Sequence, residues 1–339
     1  MRLALCGLPS AGKSTLFAAL AGRRTASGGR AEANLALLNV PDERVDRLSA
    51  LYRPKKTTYA QISFVDPPPP PAKPEDPAAR LPVELGQCEG LVQVVRNFDA
   101  GLGAPNPAAD FRAFVEEMLL HDLIIVERRL ERIASERQRG REVSAEEVAL
   151  LERAQAMLGE EKLLIADPEI PGHPRLRGFG LLTAKPRVVV ANNVEDDPAP
   201  PELGGERPPV VVRAAIEAEL AELGEEERAE FMAELGIAES ALDRLITAAY
   251  RACRLISFFT VGEDEVRAWT ITQGTLAQQA AGVIHSDLEK GFIRAEVMSY
   301  ADLIAQGSEA AVKKAGLLKL VGKDYPVSDG EVMHVRFNV

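Results

Sequence analysis

The chain is poor in the residue types that build covalent or metal frameworks. Its three cysteines, Cys6, Cys88 and Cys253, are odd in number and widely spaced, which excludes a disulfide scaffold or a paired zinc site and leaves them as small buried hydrophobes. The four histidines, His121, His173, His285 and His334, form no metal-spaced pair with each other or with a cysteine, so structural roles are expected of them. No run approaches the ~20 apolar residues that cross a bilayer. The short apolar segment Leu3–Leu8 leads straight into a glycine motif, without the order of a signal peptide. A cytoplasmic protein with no membrane contact is expected. Basic residues are outnumbered: 40 Lys and Arg against 51 Asp and Glu give a net charge of −11 and a pI near 5.1. A nucleic-acid-coating protein is thereby disfavoured, and any such contact must be local. Dehydrogenase, protease and metal-hydrolase constellations are also missing.

What is present fills a sizeable globular chain. Its 339 residues, 46% of them hydrophobic, exceed one ordinary core and imply two or three units. Short apolar strands are expected at Arg2–Cys6, Tyr59–Val65, Leu91–Val95, Arg187–Ala191 and Pro209–Val212. Their unbroken Val/Ile/Leu character suits strands buried on both faces of a mainly parallel sheet, hence an α/β nucleotide-binding architecture. From Phe111 to Ala166 apolar residues recur at helical spacing (Phe111, Phe114, Val115, Met118, Leu119), and Gly140 interrupts the run. This predicts an inserted antiparallel helical hairpin, its second arm opening at a Ser144–Glu147 capping box and each arm about 30 Å long. Arg137, Arg139 and Arg141 cluster at the bend, as a solvated turn or as a contact for RNA or another partner. Two amphipathic helices are expected between Glu217 and Arg254, with Ser240 capping the second. Beyond about Leu255 short mixed strands, including Val266–Thr272, Gly291–Val297 and Val332–Val339, indicate a compact α+β domain. Proline-rich stretches lie at Pro67–Pro71 and Pro198–Pro201.

The strongest chemical signal is GLPSAGKST, residues Gly7, Leu8, Pro9, Ser10, Ala11, Gly12, Lys13, Ser14 and Thr15. It fits a phosphate-binding loop at every fixed position and stands between a strand and a helix, the context that separates a true loop from a chance match. Gly7 and Gly12 allow close backbone approach, and the helix start adds its dipole. Lys13 would reach the β/γ-phosphates, and Ser14 would offer its hydroxyl to Mg²⁺. Thr15 either supports the α-phosphate or is a buried helix-start threonine. Asp66 ends an apolar strand, where a carboxylate reaches Mg²⁺ directly or through water. The residues after it are prolines, which have no N–H for a γ-phosphate. Base recognition is expected from Asn192, Asn193, Val194, Glu195 and Asp196. Asn193–Asp196 imitates the guanine-reading NKxD without its lysine, Asn192–Glu195 reads NxxE, and a loop of solvated polar residues is the third option.

These segments, with VPDERVDRL (Val40–Leu48), CEGLVQVVRNF (Cys88–Phe98), VVVANNVED (Val188–Asp196) and AAIEAELAEL (Ala214–Leu223), resemble the YchF/Obg-like ATPase family of P-loop NTPases over essentially the whole length. The blocks EVRAWTI (Glu265–Ile271), IHSDLEKGFIRAEV (Ile284–Val297) and GKDYPVSDGEVMHVRFNV (Gly322–Val339) resemble its TGS domain, a small β-grasp module. The resemblance implies a nucleotide-binding domain at 1–110 and 167–254, the hairpin insertion at 111–166 and a TGS-like domain at 255–339. It selects the NxxE register, hence ATP over GTP, and places Ala214, Ala215 and Ile216 against the base through backbone groups. It further implies a slow ATPase acting on ribosomes or translation factors; the sequence leaves the oligomeric state open, with a monomer the first expectation. A non-hydrolysing ATP/ADP-binding adaptor and a GTP-driven switch remain alternatives. Three departures mark a diverged paralogue: Ser10 where the family has Asn, a shortened switch I at Thr25–Leu38, and the proline run in place of the switch II glycines.

Overall fold

The computed structural model describes residues 1–22, 35–70, 76–101, 103–204, 208–234 and 240–338. In chain order the strands are β1 (Arg2–Cys6), β2 (Leu35–Asn39), β3 (Lys56–Thr58), β4 (Gln61–Val65), β5 (Gly90–Asn97), β6 (Arg187–Asn193), β7 (Val210–Val212), β8 (Leu255–Thr260), β9 (Glu265–Thr272), β10 (Phe292–Ser299), β11 (Lys319–Val321) and β12 (Glu331–Phe337). The helices are α1 (Lys13–Gly22), α2 (Glu43–Tyr52), α3 (Val83–Gln87), α4 (Pro107–Gln138), α5 (Ala145–Gly159), α6 (Ala214–Glu222), α7 (Glu225–Glu234), α8 (Ala241–Ala252), α9 (Ala277–Ile284), α10 (Ser286–Lys290), α11 (Tyr300–Gln306) and α12 (Glu309–Lys314). The chain divides into two compact units, one formed by Met1–Leu38 with Ser63–Leu245, the other by Asn39–Ile62 with Ile246–Val339.

The first unit is built on a six-stranded sheet of order β2-β4-β1-β5-β6-β7. The β4–β1, β1–β5, β5–β6 and β6–β7 pairs are parallel. Leu3, Ala4 and Leu5 of β1 and Val92, Val94 and Val95 of β5 are all buried, so successive side chains face cores on both sides of the sheet. The apolar runs read from the sequence overlap β1, β4, β5, β6 and β7, except that β4 starts at Gln61, not Tyr59, β7 starts at Val210, not Pro209, β5 starts at Gly90, and β5 and β6 each run on to an asparagine; β2 is not among the expected strands. α1 packs on α6 so closely that a Cβ on Gly22 would stand 2.8 Å from the Cβ of Ala221.

The insertion between β5 and β6 is the expected hairpin, with unequal arms. The 32 residues of α4 give about 48 Å of helix against about 22 Å for the 15 of α5. The Ser144 hydroxyl accepts the Glu147 N–H at 3.3 Å, capping α5. α5 stops at Gly159, and the remainder of the expected second arm folds back so that Leu164, Ile170, Leu176 and Leu181 join Leu119, Val126 and Leu151 in one core. A buried carboxylate ties this base down. Asp122 of α4 accepts from the Leu182 N–H (2.9 Å), the Thr183 N–H (2.7 Å) and the Thr183 hydroxyl (2.6 Å). Downstream of β7 three helices, α6, α7 and α8, stand where two were expected. At the start of α8 the Ser240 hydroxyl accepts the Leu242 N–H and donates to buried Glu217, whose other oxygen accepts the Ala241 N–H.

The second unit holds a mixed sheet of order β11-β10-β12-β8-β9-β3. Phe258, Ile271, Ala295, Val297 and Met333 bury one face against Ala277 and Ala280 of α9, the strand-round-helix arrangement of a β-grasp module. Its outermost strand, β3, comes from the segment Asn39–Ile62 and runs parallel to β9. The boundaries implied by the resemblance keep that segment with the nucleotide-binding part instead.

Candidate nucleotide-binding site

β1 lies inside its sheet with β4 on one side and β5 on the other, so the chain leaves β1 in one direction and later returns on the opposite side. In open α/β sheets this switch point, beyond the carboxyl ends of the strands, is where ligands sit. Gly7–Gly12 occupies it. The loop needs glycine at both ends: Gly7 has φ 132° and a Cβ there would fall 2.3 Å from the Val94 carbonyl oxygen, while Gly12 has φ 89° and its Cβ would fall 2.1 Å from Asn192 Nδ2. Ser10 also adopts the left-handed region, at φ 60°, which favours glycine or asparagine over serine.

The side chains of the loop divide its work. Leu8 packs into the core formed by Leu81, Leu85, Phe114 and Met118, and Ala11 is buried, while Pro9 and Ser10 face solvent. Lys13 Nζ donates to the Gly7 and Leu8 carbonyls at 3.0 and 2.8 Å, which fixes the ammonium over the start of α1. Burial pushes the Lys13 pKa down, opposed by the field of the Asp66 carboxylate. Burial also pushes the neighbouring Cys6 thiol up to about 12, so that group is a neutral packing residue. The hydroxyl-bearing residues Ser14 and Thr15 are both exposed, which removes the buried-threonine alternative for Thr15. Asp66, half-buried at the end of β4, is near enough for its charge to act on Lys13. An oriented ammonium, a helix start with two open hydroxyls and a loop whose two glycines pack directly on β5 and β6 suit a triphosphate, with Ser14 and Asp66 as the residues that would hold Mg²⁺. Pro67–Pro70 follow Asp66 without secondary structure. Pro71 and Thr25–Asn34 lie outside the described residues.

The two asparagines of the base loop do different things. Successive residues of β6 point to opposite faces. Asn192 Nδ2 donates to the Ala11 carbonyl at 3.2 Å, and its Oδ1 accepts the Ala214 N–H at 3.1 Å, clasping the phosphate loop to the start of α6. Asn193 instead donates to the Asp197 and Ala199 carbonyls at 2.9 and 2.7 Å and accepts from Asn97 at 3.1 Å, so its amide closes its own turn and ties the end of β6 to the end of β5. Val194, Glu195 and Asp196 are exposed beyond it, and the Glu195 carbonyl accepts from Arg213 at 3.0 Å. At the start of α6 Ala214 and Ile216 are buried and Ala215 is exposed. The Ala214 N–H is already held by Asn192, so it is not free for a base. Phe98, to which sequence reasoning gives no role, extends an edge to within 3.8 Å of where a Gly12 Cβ would stand. The only signal for it is a lone aromatic at the carboxyl end of a buried strand.

The arginines of the hairpin are not part of this site. Arg137 lies about 35 Å along α4 from Phe114, which packs beneath the phosphate loop. Arg137, Arg139 and Arg141 are exposed and make no ion pair among the described residues.

A phosphate loop at the switch point of a parallel sheet, with a helical insertion and a β-grasp module, defines a P-loop nucleotide-binding protein. Comparison with known proteins makes the assignment narrower. Residues 255–338 match the family model YchF-GTPase_C, described as a protein of unknown function (DUF933). The chain is 37% identical to the "Ribosome-binding ATPase YchF" of Bacillus subtilis (strain 168), covering 99% of this chain and 98% of that protein. It is 38% identical to the protein of the same name from Escherichia coli O157:H7, with the same coverage. Among solved structures, the Schizosaccharomyces pombe YchF GTPase superposes with a TM-score of 0.82 at 30% identity, over 99% of this chain and 97% of that one. The chain belongs to the YchF family.

Proposed function

We propose that this protein is a slow, Mg²⁺-dependent nucleoside triphosphatase that prefers ATP to GTP and acts on the ribosome or a translation-related partner in the cytoplasm. The observation that carries the reading is the geometry around Lys13, an ammonium held over a helix start by the Gly7 and Leu8 carbonyls. When bound, Mg²⁺ would neutralise charge developing on the phosphates. Ser14 and Asp66 are its ligands in this reading, and Lys13 with the N–H groups of Gly7–Thr15 holds the phosphates. The NxxE register is supported by where the asparagines face: Asn192 turns to the phosphate loop and the start of α6, whereas Asn193, the first reader of the guanine register, turns away to Asn97, Asp197 and Ala199. Val194, Glu195, Ala215 and Ile216 complete the base side. The relatives' names support the ribosome as partner, and the exposed Arg137, Arg139 and Arg141 are the contact for its anionic surface. No helix among the described residues is long and apolar enough to cross a membrane.

The proline run favours a second reading, a nucleotide-holding adaptor with little turnover. Pro67, Pro68 and Pro69 cannot donate to a γ-phosphate, and a polyproline path is stiff where a switch needs two conformations. Identification of the nucleotide retained by the purified protein, followed by single-turnover hydrolysis with Mg²⁺, separates the two. Measurable phosphate release supports the enzyme, and retained nucleotide without release supports the adaptor. Retention of GTP would overturn the base assignment.

A further inference from the structure

Two segments from different elements form the base side of the site, and two hydrogen bonds join them. One segment is the turn Val194–Asp197 that follows β6; the other runs from Arg213, just past β7, into α6. The inner bond is the Ala214 N–H on Asn192 Oδ1 at 3.1 Å, and the outer one is Arg213 Nη1 on the Glu195 carbonyl at 3.0 Å. The turn closes its own ends, the Asp197 N–H reaching the Val194 carbonyl at 3.3 Å and Asn193 holding the Asp197 and Ala199 carbonyls. Its middle is held by Arg213. Among the described residues Glu195 has no other hydrogen-bond partner, and its exposed carboxylate is unpaired. Arg213 has a fixed root of its own. Half-buried at the N-cap of α6, it accepts the Glu217 N–H on its carbonyl at 3.0 Å, and the Glu217 carboxylate is buried against Ser240 and Ala241 at the start of α8.

We propose that Arg213 is a positioning residue for base selection, acting through Glu195: its guanidinium holds the backbone of the turn so that the Glu195 carboxylate is presented to the purine before a nucleotide arrives. The inference rests on the reading of Asn192–Glu195 as the base-reading segment. An exposed turn without such a hold samples several conformations, and ordering it opposes binding. A guanidinium suits the task, because it stays charged at any working pH and its donors lie in one plane. A carboxylate fixed in place accepts from the amino group that adenine carries at C6 and repels the carbonyl that guanine carries there. Releasing the turn therefore weakens ATP and narrows its lead over GTP, while the phosphate loop, built from other residues, is untouched. A merely structural arginine would shift every ligand alike.

The test titrates the full chain and its Arg213→Gln, Arg213→Lys and Glu195→Gln variants with ATP, GTP and tripolyphosphate, each with Mg²⁺. Tripolyphosphate offers the phosphates without a base. Arg213→Gln is expected to lower ATP affinity about fivefold and to shrink the ATP-to-GTP ratio with it, leaving tripolyphosphate affinity unchanged. Arg213→Lys keeps the charge but donates from a single point, acts in the same direction by less, and carries the test if Arg213→Gln does not fold. Glu195→Gln keeps the carbonyl that Arg213 holds, removes the carboxylate charge and should also shrink the ratio. A ratio that moves in Glu195→Gln and stays fixed in the folded Arg213 variants overturns the inference and leaves the base reading standing. An equal loss for all three ligands in the Arg213 variants does the same. A ratio indifferent to Glu195→Gln, or no preference for ATP in the unmodified chain, overturns the base reading itself, and the inference with it.

Discussion

The acidic chain carries two cationic sites of opposite design. Lys13 is partly buried, lowered in pKa by that burial and oriented by two carbonyls, so its position is fixed before any ligand arrives. Arg137 at the end of α4 and Arg139 and Arg141 just beyond it stand in solvent, with no ion pair among the described residues. The first design suits a small ligand of defined geometry, since a pre-placed charge loses little on binding. The second suits an extended anion met in many orientations, where attraction is long-ranged and screened by salt. Charge alone therefore does not identify a ligand; its burial and its partners do.

If this contrast holds, each site can be removed without the other. The largest effect is expected from Lys13→Ala, a loss of about 100-fold or more in Mg-ATP affinity by calorimetry, as two charge-assisted contacts of ~1.5–3 kcal/mol vanish. Ribosome or RNA co-sedimentation measured without nucleotide should be unaffected. Next is the missing donor after Asp66. One lost hydrogen bond to a charged group is worth ~1.5–3 kcal/mol, or about 10- to 150-fold, so ATP and ADP titrations should differ little and single-turnover hydrolysis should run below about 1 s⁻¹. Fast turnover with strong selection for ATP would show that another segment supplies the donor. Replacing Arg137, Arg139 and Arg141 together by glutamine should reduce the salt slope of ribosome or RNA binding by about 2–3, at roughly 0.7–0.9 per lost contact, with Mg-ATP affinity intact. An unchanged slope would make the tip a solvated turn. The smallest effects separate the asparagines: Asn192→Ala should weaken ATP about tenfold through the freed phosphate loop, whereas Asn193→Ala should lower the melting temperature and leave affinity within about twofold of the original.

Legibility followed the range of the forces involved. Gly7, Gly12 and Lys13 were readable because a backbone cradle admits few residues at those positions, and the unbroken apolar runs of β1, β5 and β6 announce strands with two buried faces. The Ser144 cap was readable from four residues. The placement of β3 was not: Lys56, Thr57 and Thr58 are polar, and their partners Glu265, Val266 and Arg267 lie far along the chain, so only tertiary pairing makes them a strand. The early end of α5 at Gly159 was hidden because Leu164, Ile170 and Leu176 serve a folded-back core as well as they would a helix face. The roles of Asn192 and Asn193 could not be told apart from composition, since strand register, not residue type, decides which of them faces the phosphate loop.

The Asp122 anchor has a consequence for the order in which the chain assembles. β5 and β6 pair in register from Leu91–Arg187 to Asn97–Asn193, although the whole hairpin separates them. Closing so long a loop as free coil would slow the search for that register. The antiparallel arms need only local contacts, and once they meet, Asp122 captures the Leu182 and Thr183 N–H groups, a few residues short of β6. The insertion thus shortens the effective loop, so that during synthesis a finished hairpin can hand β6 to a sheet edge already waiting for it.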